Sequence, residues 1–143
     1  MNTVDPYESI GFHCSVTYRS FAQVLEKRLR ETGITPSQFF ALSHLIALGA
    51  MPQSELAAHL STSSVTVVKL IDRMERDGWV VRKPNLEDRR VKMVFLTKKA
   101  EEKWKDLTVI ARSVIEQAHQ GITKKEINTV KKILNKIRNN LNT

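Results

Sequence analysis

Two sets of residues could carry chemistry, and both suit a polyanion. Arg89 and Arg90 follow Asp88 in RKPNLEDRR, a polar, Pro-bearing loop between two short apolar runs. So flanked, the loop reads as a hairpin tip, which cannot bury guanidinium groups. In a winged-helix arrangement such a loop reaches a minor groove, where an inserted arginine responds to narrowness and negative potential. Arg89 is the better placed of the two for phosphate. The second set comes from the helical pattern before the loop. Burying Val67, Leu70, Ile71 and Met74, spaced i, i+3, i+4 and i+7, leaves Ser64, Val65, Thr66, Val68, Lys69, Arg73 and Arg76 on the opposite and flanking faces. Small groups near the N-terminus would let that helix settle deeply in a major groove, with hydroxyls and methyls against base edges. Lys69, Arg73 and Arg76 could then meet phosphates, which position a helix without reading sequence. A solvated face carrying Lys and Arg for solubility explains the helix alone equally well. The adjoining basic loop tips the balance.

The elements that must position these residues run from Gln53 to Thr97. Ser54 to Leu60 is a short amphipathic piece with Leu56, Ala57 and Leu60 at helical spacing. Ser61 to Ser64 can serve as turn and N-cap. The longer helix reaches Asp77, and Gly78 is placed to end it as a left-handed cap. Trp79 to Val81 and Val91 to Leu96 read as strands on either side of the loop. Helix, turn, helix, strand, basic loop, strand is the order of a winged helix-turn-helix.

GWVVRKPNLEDRRVKMVFLT, preceded by LIDRMERD, resembles the signature of the MarR (multiple-antibiotic-resistance regulator) family. The likeness is strongest from Ser54 to Thr97, and the order of the flanking helices extends it to nearly the whole chain. It implies a dimeric winged-helix transcription factor, mainly α with a small β-wing, whose N- and C-terminal helices form a dimer platform. In those terms residues 1–143 are a single domain, with dimerisation helices in 1–34 and 100–143 and a winged helix-turn-helix DNA-binding region in 35–99. The resemblance also implies that Arg90 makes the groove insertion and that Asp88 holds its guanidinium in position. The chain departs from the family at Ala100, where Gly is usual just after the Leu-Thr that ends the wing strand. That change sits at a helix start and touches no binding residue.

The remaining sequence fits one folded unit of 143 residues. Lys and Arg total 23 against 15 acidic residues, a net charge of +8 that suits a polyanionic partner. Residues 1–52 balance at zero, whereas 53–99 carry +4 and 122–143 carry +5. A long first helix is expected from about Pro6 to Thr32, with Tyr7, Ile10, Cys14, Thr17, Phe21 and Val24 in a wide apolar band beside Tyr18, Leu25 and Leu29. Thr35-Pro36-Ser37-Gln38 is a capping-box pattern opening a second helix that packs Phe39, Leu42, Leu45, Ile46 and Leu48 and ends near Gly49. Thr97 can cap a helix to about Gln120, with Trp104, Leu107, Ala111, Val114 and Ala118 in its stripe. A second capping box, Thr123 to Glu126, starts the last helix. There Ile127, Val130, Leu134, Ile137 and Leu141 form a strict stripe that needs a partner. The economical partner is a second copy of the chain, the terminal helices interlocking as a homodimer. A closed monomer, its first helix covering the last, is the alternative.

Other chemistries find little support. His13, His44, His59 and His119 include no i, i+4 pair and there is no CxxC, so neither a metal site nor a cofactor is expected. The five glycines form no phosphate loop, and Glu87-Asp88 lies in an exposed loop with nothing to exclude water, so an enzyme is not expected. No apolar run approaches the roughly 20 residues of a membrane span. MNTVDPYESIG lacks a secretory pattern and the single cysteine suits a reducing compartment, so the cytoplasm is expected.

In MarR-like proteins small aromatic acids or lipophilic compounds often bind between platform and winged helix. The resemblance makes His13, Tyr18, Arg19, Phe39 and His44 candidates for such a crevice, where an Arg near two rings and a His could take a carboxylate. Core and rim packing is the plainer role for each. Cys14 with Tyr18 gives a Cys-x-x-x-Tyr spacing similar to that of the peroxide-sensing branch, which implies a redox sensor. The further tyrosines of that branch are missing: Arg28 and Phe39 stand at the matching positions. An inert cysteine is the commoner fate. The function expected is a sequence-specific DNA-binding regulator, a ligand-responsive repressor acting as a homodimer on a pseudo-palindromic operator in double-stranded DNA. A winged-helix module meeting an acidic protein is the alternative, although a protein contact has no need of a small helix face beside an Arg-bearing wing.

Overall fold

The computed structural model describes residues 4–143 and forms, among them, six α-helices and one small antiparallel sheet. The first three residues of the N-terminal stretch considered above lie outside the description. Helix α1 (Ile10–Leu29) is shorter than the Pro6–Thr32 helix expected, because the chain caps twice at its start. Asp5 accepts from the Tyr7 N–H at 2.9 Å and closes a 3-10 turn over Pro6–Glu8. Ser9 then accepts from the Phe12 N–H at 3.3 Å and begins the α-helix proper. At the other end Arg30–Thr32 tightens into a second 3-10 turn before Gly33.

Helix α2 (Pro36–Leu48) carries the expected reciprocal cap: Gln38 N–H donates to Thr35 Oγ1 at 3.2 Å, and Thr35 N–H to Gln38 Oε1 at 3.1 Å. Helices α3 (Gln53–His59) and α4 (Ser64–Arg76) follow, then α5 (Lys98–Ala118), N-capped by Thr97, and α6 (Lys124–Leu141), capped by Thr123 and Glu126. The N–H of Ala100 donates to Thr97 Oγ1 at 3.2 Å and its methyl is buried, so alanine fits this helix start without strain.

The sheet corrects the strand limits read from the sequence. Strands β2 (Val80–Pro84) and β3 (Lys92–Leu96) pair from Val80↔Leu96 to Pro84↔Lys92, so β2 runs three residues past Val81, while Trp79 belongs to the helix cap. A third strand, β1 (Met51–Pro52), was not expected. It pairs with β3 through Met51↔Val94 and Pro52↔Met93, giving the order β1-β3-β2. Two residues cannot show an alternating pattern, and Pro52 is tolerated because β1 is an edge.

One core holds most of the chain together. Leu29, Leu42, Leu45, Leu56, Ile71, Val80, Val94 and Leu107 are all at most 2 % exposed and come from every element except β1 and α6. α1 packs on α5 and α2, and α3 on α4. The termini differ. Of the apolar band of α1 only Leu25 and Leu29 are buried, while Tyr7, Ile10, Tyr18 and Phe21 are exposed. Ile46, Leu48 and Ala118, which the sequence stripes would bury, also face outward. No residue of α6 is buried.

Candidate nucleic-acid interface

Helix α4 is rotated by its apolar stripe and cut to length by its caps. Val67, Ile71 and Met74 are buried and Leu70 is half-buried, which turns Ser64, Val65, Thr66, Val68, Lys69, Arg73 and Arg76 outward; all seven are exposed. Ser63 caps the helix, accepting from the Thr66 N–H at 3.1 Å and donating to Thr66 Oγ1 at 2.9 Å. At the far end Trp79 N–H reaches the Met74 carbonyl at 2.8 Å and Gly78 N–H the Glu75 carbonyl at 3.1 Å, a Schellman cap that requires the left-handed Gly78 (φ 83°). Lys99 of α5 secures the same end: its Nζ donates to the Asp77 carbonyl at 2.7 Å and lies 4.3 Å from the Trp79 ring centre. Of the three cations, Arg76 pairs with Asp77 at 3.1 Å, whereas Lys69 and Arg73 have no ion pair among the described residues.

The hairpin between β2 and β3 carries Asp88, Arg89 and Arg90. Asn85 Oδ1 accepts from the Glu87 N–H at 2.8 Å, and Asn85 N–H donates to the Val91 carbonyl at 2.8 Å, closing the tip. Asp88 grips Arg90 at three points: Arg90 Nε and backbone N–H each lie 3.1 Å from Oδ1, and Nη2 lies 3.3 Å from Oδ2. These hydrogen bonds hold the Asp88 carboxyl below its ordinary 3.8. The Arg90 side chain is nonetheless 92 % exposed. It is oriented without being covered. Arg89 is exposed beside it, and Leu86 at the tip is 98 % exposed.

Sequence reasoning missed the residue that joins helix to wing. Arg82 on β2 places Nη2 2.7 Å from Asp72 Oδ1 and 2.9 Å from Glu75 Oε1, while Nη1 donates to Gln53 Oε1 of α3 at 3.2 Å. Its backbone N–H also donates to Glu75 Oε2 at 2.9 Å. The Arg82 side-chain hydrogen bond, then its backbone one, holds Glu75 below the ordinary 4.5 of a glutamate. The available signal was two acids spaced i, i+3 on the α4 flank, with a lone arginine in the following strand.

The five candidate pocket residues do not line one cavity of this chain. A cleft of about 690 Å³ between α1, the start of α2 and α4 takes Tyr18 and Arg19, with Thr66, Lys69 and Arg73 on its far wall. A smaller apolar cavity of about 200 Å³ takes Tyr18 and Phe39, with Phe21, Leu25 and Val114. His13 and His44 line neither. His13 donates to the Tyr7 carbonyl at 2.7 Å; His44 donates to the Phe40 carbonyl at 2.8 Å and stacks on His59 at 5.4 Å between ring centres. The reason is helical phase: five residues separate His13 from Tyr18 and Phe39 from His44, a turn of roughly 140° around the axis.

Cys14 is exposed. Arg28 donates to Ser113 Oγ at 2.9 Å and to Gln117, and Phe39 stacks on Trp104 at 5.1 Å, so both work in α1–α5 and α2–α5 packing. Of the five residues expected at a dimer seam, Ile127, Leu134 and Ile137 are half-buried, while Val130 and Leu141 are 53 % and 78 % exposed. Among the described residues no group of three or more His, Cys, Asp or Glu could hold a metal ion, and no helix is long and apolar enough to cross a membrane.

The sequence profile of the MarR family matches residues 34–92, the span from the entry of α2 to the start of β3. The crystal structure of transcriptional regulator PA3341 is 31 % identical and superposes with a TM-score of 0.83 over 94 % of this chain and 98 % of its own. The chain belongs to the MarR family. A curated relative, the HTH-type transcriptional regulator YwoH of Bacillus subtilis, is 37 % identical over 91 residues. That match covers 64 % of this chain and 66 % of YwoH, just under two thirds of the relative's length. The reduced form of AbfR bound to DNA is 26 % identical, with a TM-score of 0.78 over 94 % of this chain and 92 % of AbfR. The MarR family is one of transcriptional regulators and not of enzymes.

The Glu75–Arg82 pair should give the MarR winged helix an acid-sensitive contribution to stability in a defined window. Because the folded Glu75 carboxyl sits below its ordinary 4.5, its contribution is fully present above that value and is lost as the pH falls through the lowered one. Thermal melts of wild type and Glu75→Gln should therefore be separated at pH 7 and converge in acid below about pH 4.5. A separation that stayed constant down to pH 3 would show that the pair contributes nothing specific.

Proposed function

We propose that this chain is a sequence-specific DNA-binding transcriptional regulator, a ligand-responsive repressor that acts as a homodimer on a pseudo-palindromic operator. The observation that carries the reading is Arg90, gripped by Asp88 yet 92 % exposed at the end of a hairpin. A side chain held in one orientation and left in solvent is prepared for something outside the chain, and a minor groove rewards a cation presented in this way. The exposed face of α4 supplies the companion surface. Val65, Thr66 and Val68 offer methyls and a hydroxyl to base edges, and Lys69 and Arg73 offer unpaired charge to phosphates. The single domain of 1–143 would then divide into a DNA-binding region at 35–99 and dimerisation helices at 1–34 and 100–143, acting in the cytoplasm.

Dimerisation is supported by what α1 and α6 leave open. Val130, Ile133 and Leu141 on α6, and Ile10 and Phe21 on α1, are exposed apolar groups on elements too amphipathic to be solvated on all sides. An effector has room in the larger cleft, where Arg19 faces the wall carrying Lys69 and Arg73 beside the Tyr18 ring. That lining suits a small aromatic carboxylate. A second reading, in which oxidation of Cys14 controls DNA binding, is favoured by the exposure of Cys14.

Three outcomes are expected on DNA recovered by selection from a random pool. Arg90→Ala should weaken binding by roughly 1–3 kcal/mol per dimer arm with an unchanged melting temperature, as for a lost groove contact. Thr66→Ala should relax base preference, whereas Lys69→Ala should weaken all DNA about equally and lower the salt slope. Wild-type affinity in Arg90→Ala would take the wing out of the groove. Light scattering at micromolar concentration should give a dimer mass. Leu134→Asp combined with Ile137→Asp should dissociate or unfold it by burying charge in an apolar seam, and a wild-type monomer mass would end the two-half-site reading. Finally, an organic hydroperoxide should leave DNA binding of wild type and Cys14→Ser alike if a ligand is the signal. Loss in wild type alone would establish the cysteine as the sensor.

A further inference from the structure

Beyond the Lys83–Met93–Pro52 row the sheet has only two strands, and its outer residues have nothing beneath them. Lys83, Pro84, Leu86, Arg89, Arg90 and Lys92 are all exposed. A two-stranded hairpin is marginal by itself in water, so the direction in which the wing projects is set by the last row fixed to the body. The three-stranded row next to it, one step nearer the core, contains Arg82, opposite the fully buried Val94, which also pairs with Met51 of β1.

We propose that Arg82 is the positioning residue that locks the wing to α4, so that helix and wing meet DNA as one rigid unit; the proposal rests on the DNA-binding reading above. Arg82 makes contacts to two elements at once, reaching Asp72 and Glu75 on α4 and Gln53 on α3. Its side chain is only 22 % exposed, so this is not a solvated surface pair. The planar fork of arginine can meet both carboxylates and the amide together; a lysine ammonium is a point charge that cannot. The arrangement also neutralises acids that would otherwise repel phosphate. Asp72 and Glu75 lie on the flank of the helix whose outer face carries Lys69, Arg73 and Arg76, and Arg82 pairs with both carboxylates. A residue kept only for stability would have no reason to join these elements to the strand that leads to Arg90.

The test is a double-mutant cycle on operator DNA with wild type, Arg90→Ala, Arg82→Gln and the combination. Arg82→Gln should weaken operator binding about tenfold while leaving binding to unrelated DNA within about twofold. In its background Arg90→Ala should cost less than about threefold further, because a misdirected wing has little left to lose. Hydrogen exchange of the free protein gives a readout that does not depend on DNA. Amides of residues 84–92 should exchange faster in Arg82→Gln, while those of Ile71 and Leu107 keep their protection. If Arg82→Gln melts too low to assay, the same cycle on Arg82→Lys, which keeps the charge but loses the fork, decides by the same criterion. An undiminished cost of Arg90→Ala, or faster exchange throughout the chain, would overturn the proposal. Wild-type protein that bound no DNA would overturn the DNA-binding reading and the proposal together, whereas bound DNA without coupling would overturn the proposal alone.

Discussion

Val67, Ile71 and Met74 disappear from solvent almost completely, at 1 % exposure or less, and this one-sided burial governs what the rest of α4 can do. Burying three side chains of this size is worth several kcal/mol at about 1.5–3 kcal/mol each. That greatly exceeds any preference of the polar face, so the rotation of the helix is decided from inside. The outer face is then whatever residues remain, in the order the chain supplies them: small and hydroxylated first, cationic later. The caps do the complementary work along the axis. Ser63 fixes where the helix begins, Gly78 where it ends, and Lys99 ties that end to α5. Rotation, length and anchoring therefore come from three separate sources, none of which uses the exposed face.

Charge within residues 53–99 is sorted by the same logic. Glu55 lies 3.7 Å from His59; Asp72 and Glu75 are taken by Arg82, Asp77 by Arg76 and Asp88 by Arg90. Glu87 has no ion pair among the described residues, and Glu55 has one only where His59 is protonated. The formal +4 of the segment understates the asymmetry, because four of its six negative charges are paired locally while Lys69, Arg73 and Arg89 have no ion pair among the described residues. A surface arranged in this way attracts a polyanion through its free cations, and the paired ones determine geometry. Arg90 belongs to both groups. Its carboxylate partner orients it, yet its exposure leaves the outer edge of the guanidinium open.

What the sequence made legible was local. The i, i+3, i+4 stripe of α4, both capping boxes, Gly78 and the hairpin loop each lie within a few residues of one another, where helical phase and turn chemistry suffice. The first helix was read as too long because hydrophobic spacing continues through Asp5–Ser9, although two capping side chains interrupt it there. Strand β1 escaped because its pairing with β3 is a contact between residues 51 and 94, invisible to periodicity. The scatter of the pocket candidates has a related cause. The resemblance grouped His13 and His44 with Tyr18 and Phe39, and five residues along a helix turn a side chain to another face. Arg82 looked like one more basic residue of the loop; only the packing of β2 against α4 reveals that its charge is already used.

The chain divides into a part that satisfies itself and a part that does not. The winged helix closes its own core, whereas α6 has eighteen residues, a complete capping box and no buried side chain. In proteins most helical stability comes from packing an amphipathic face, not from length or caps alone. Exposed Val130 and Ile133, at 53 % and 50 %, add apolar surface without recovering any burial. Within this chain α6 therefore gains little from burial. If its partner is a second copy, the dependence on that copy passes to the DNA-binding half, since α6 follows α5 and α5 holds the end of α4 through Lys99. Protein concentration would then enter twice, once in forming the platform and again in presenting two winged helices at a fixed spacing. A dimeric regulator of that kind would lose its operator on dilution more steeply than the affinity of either winged helix would suggest, because both half-sites would depend on the same apolar seam.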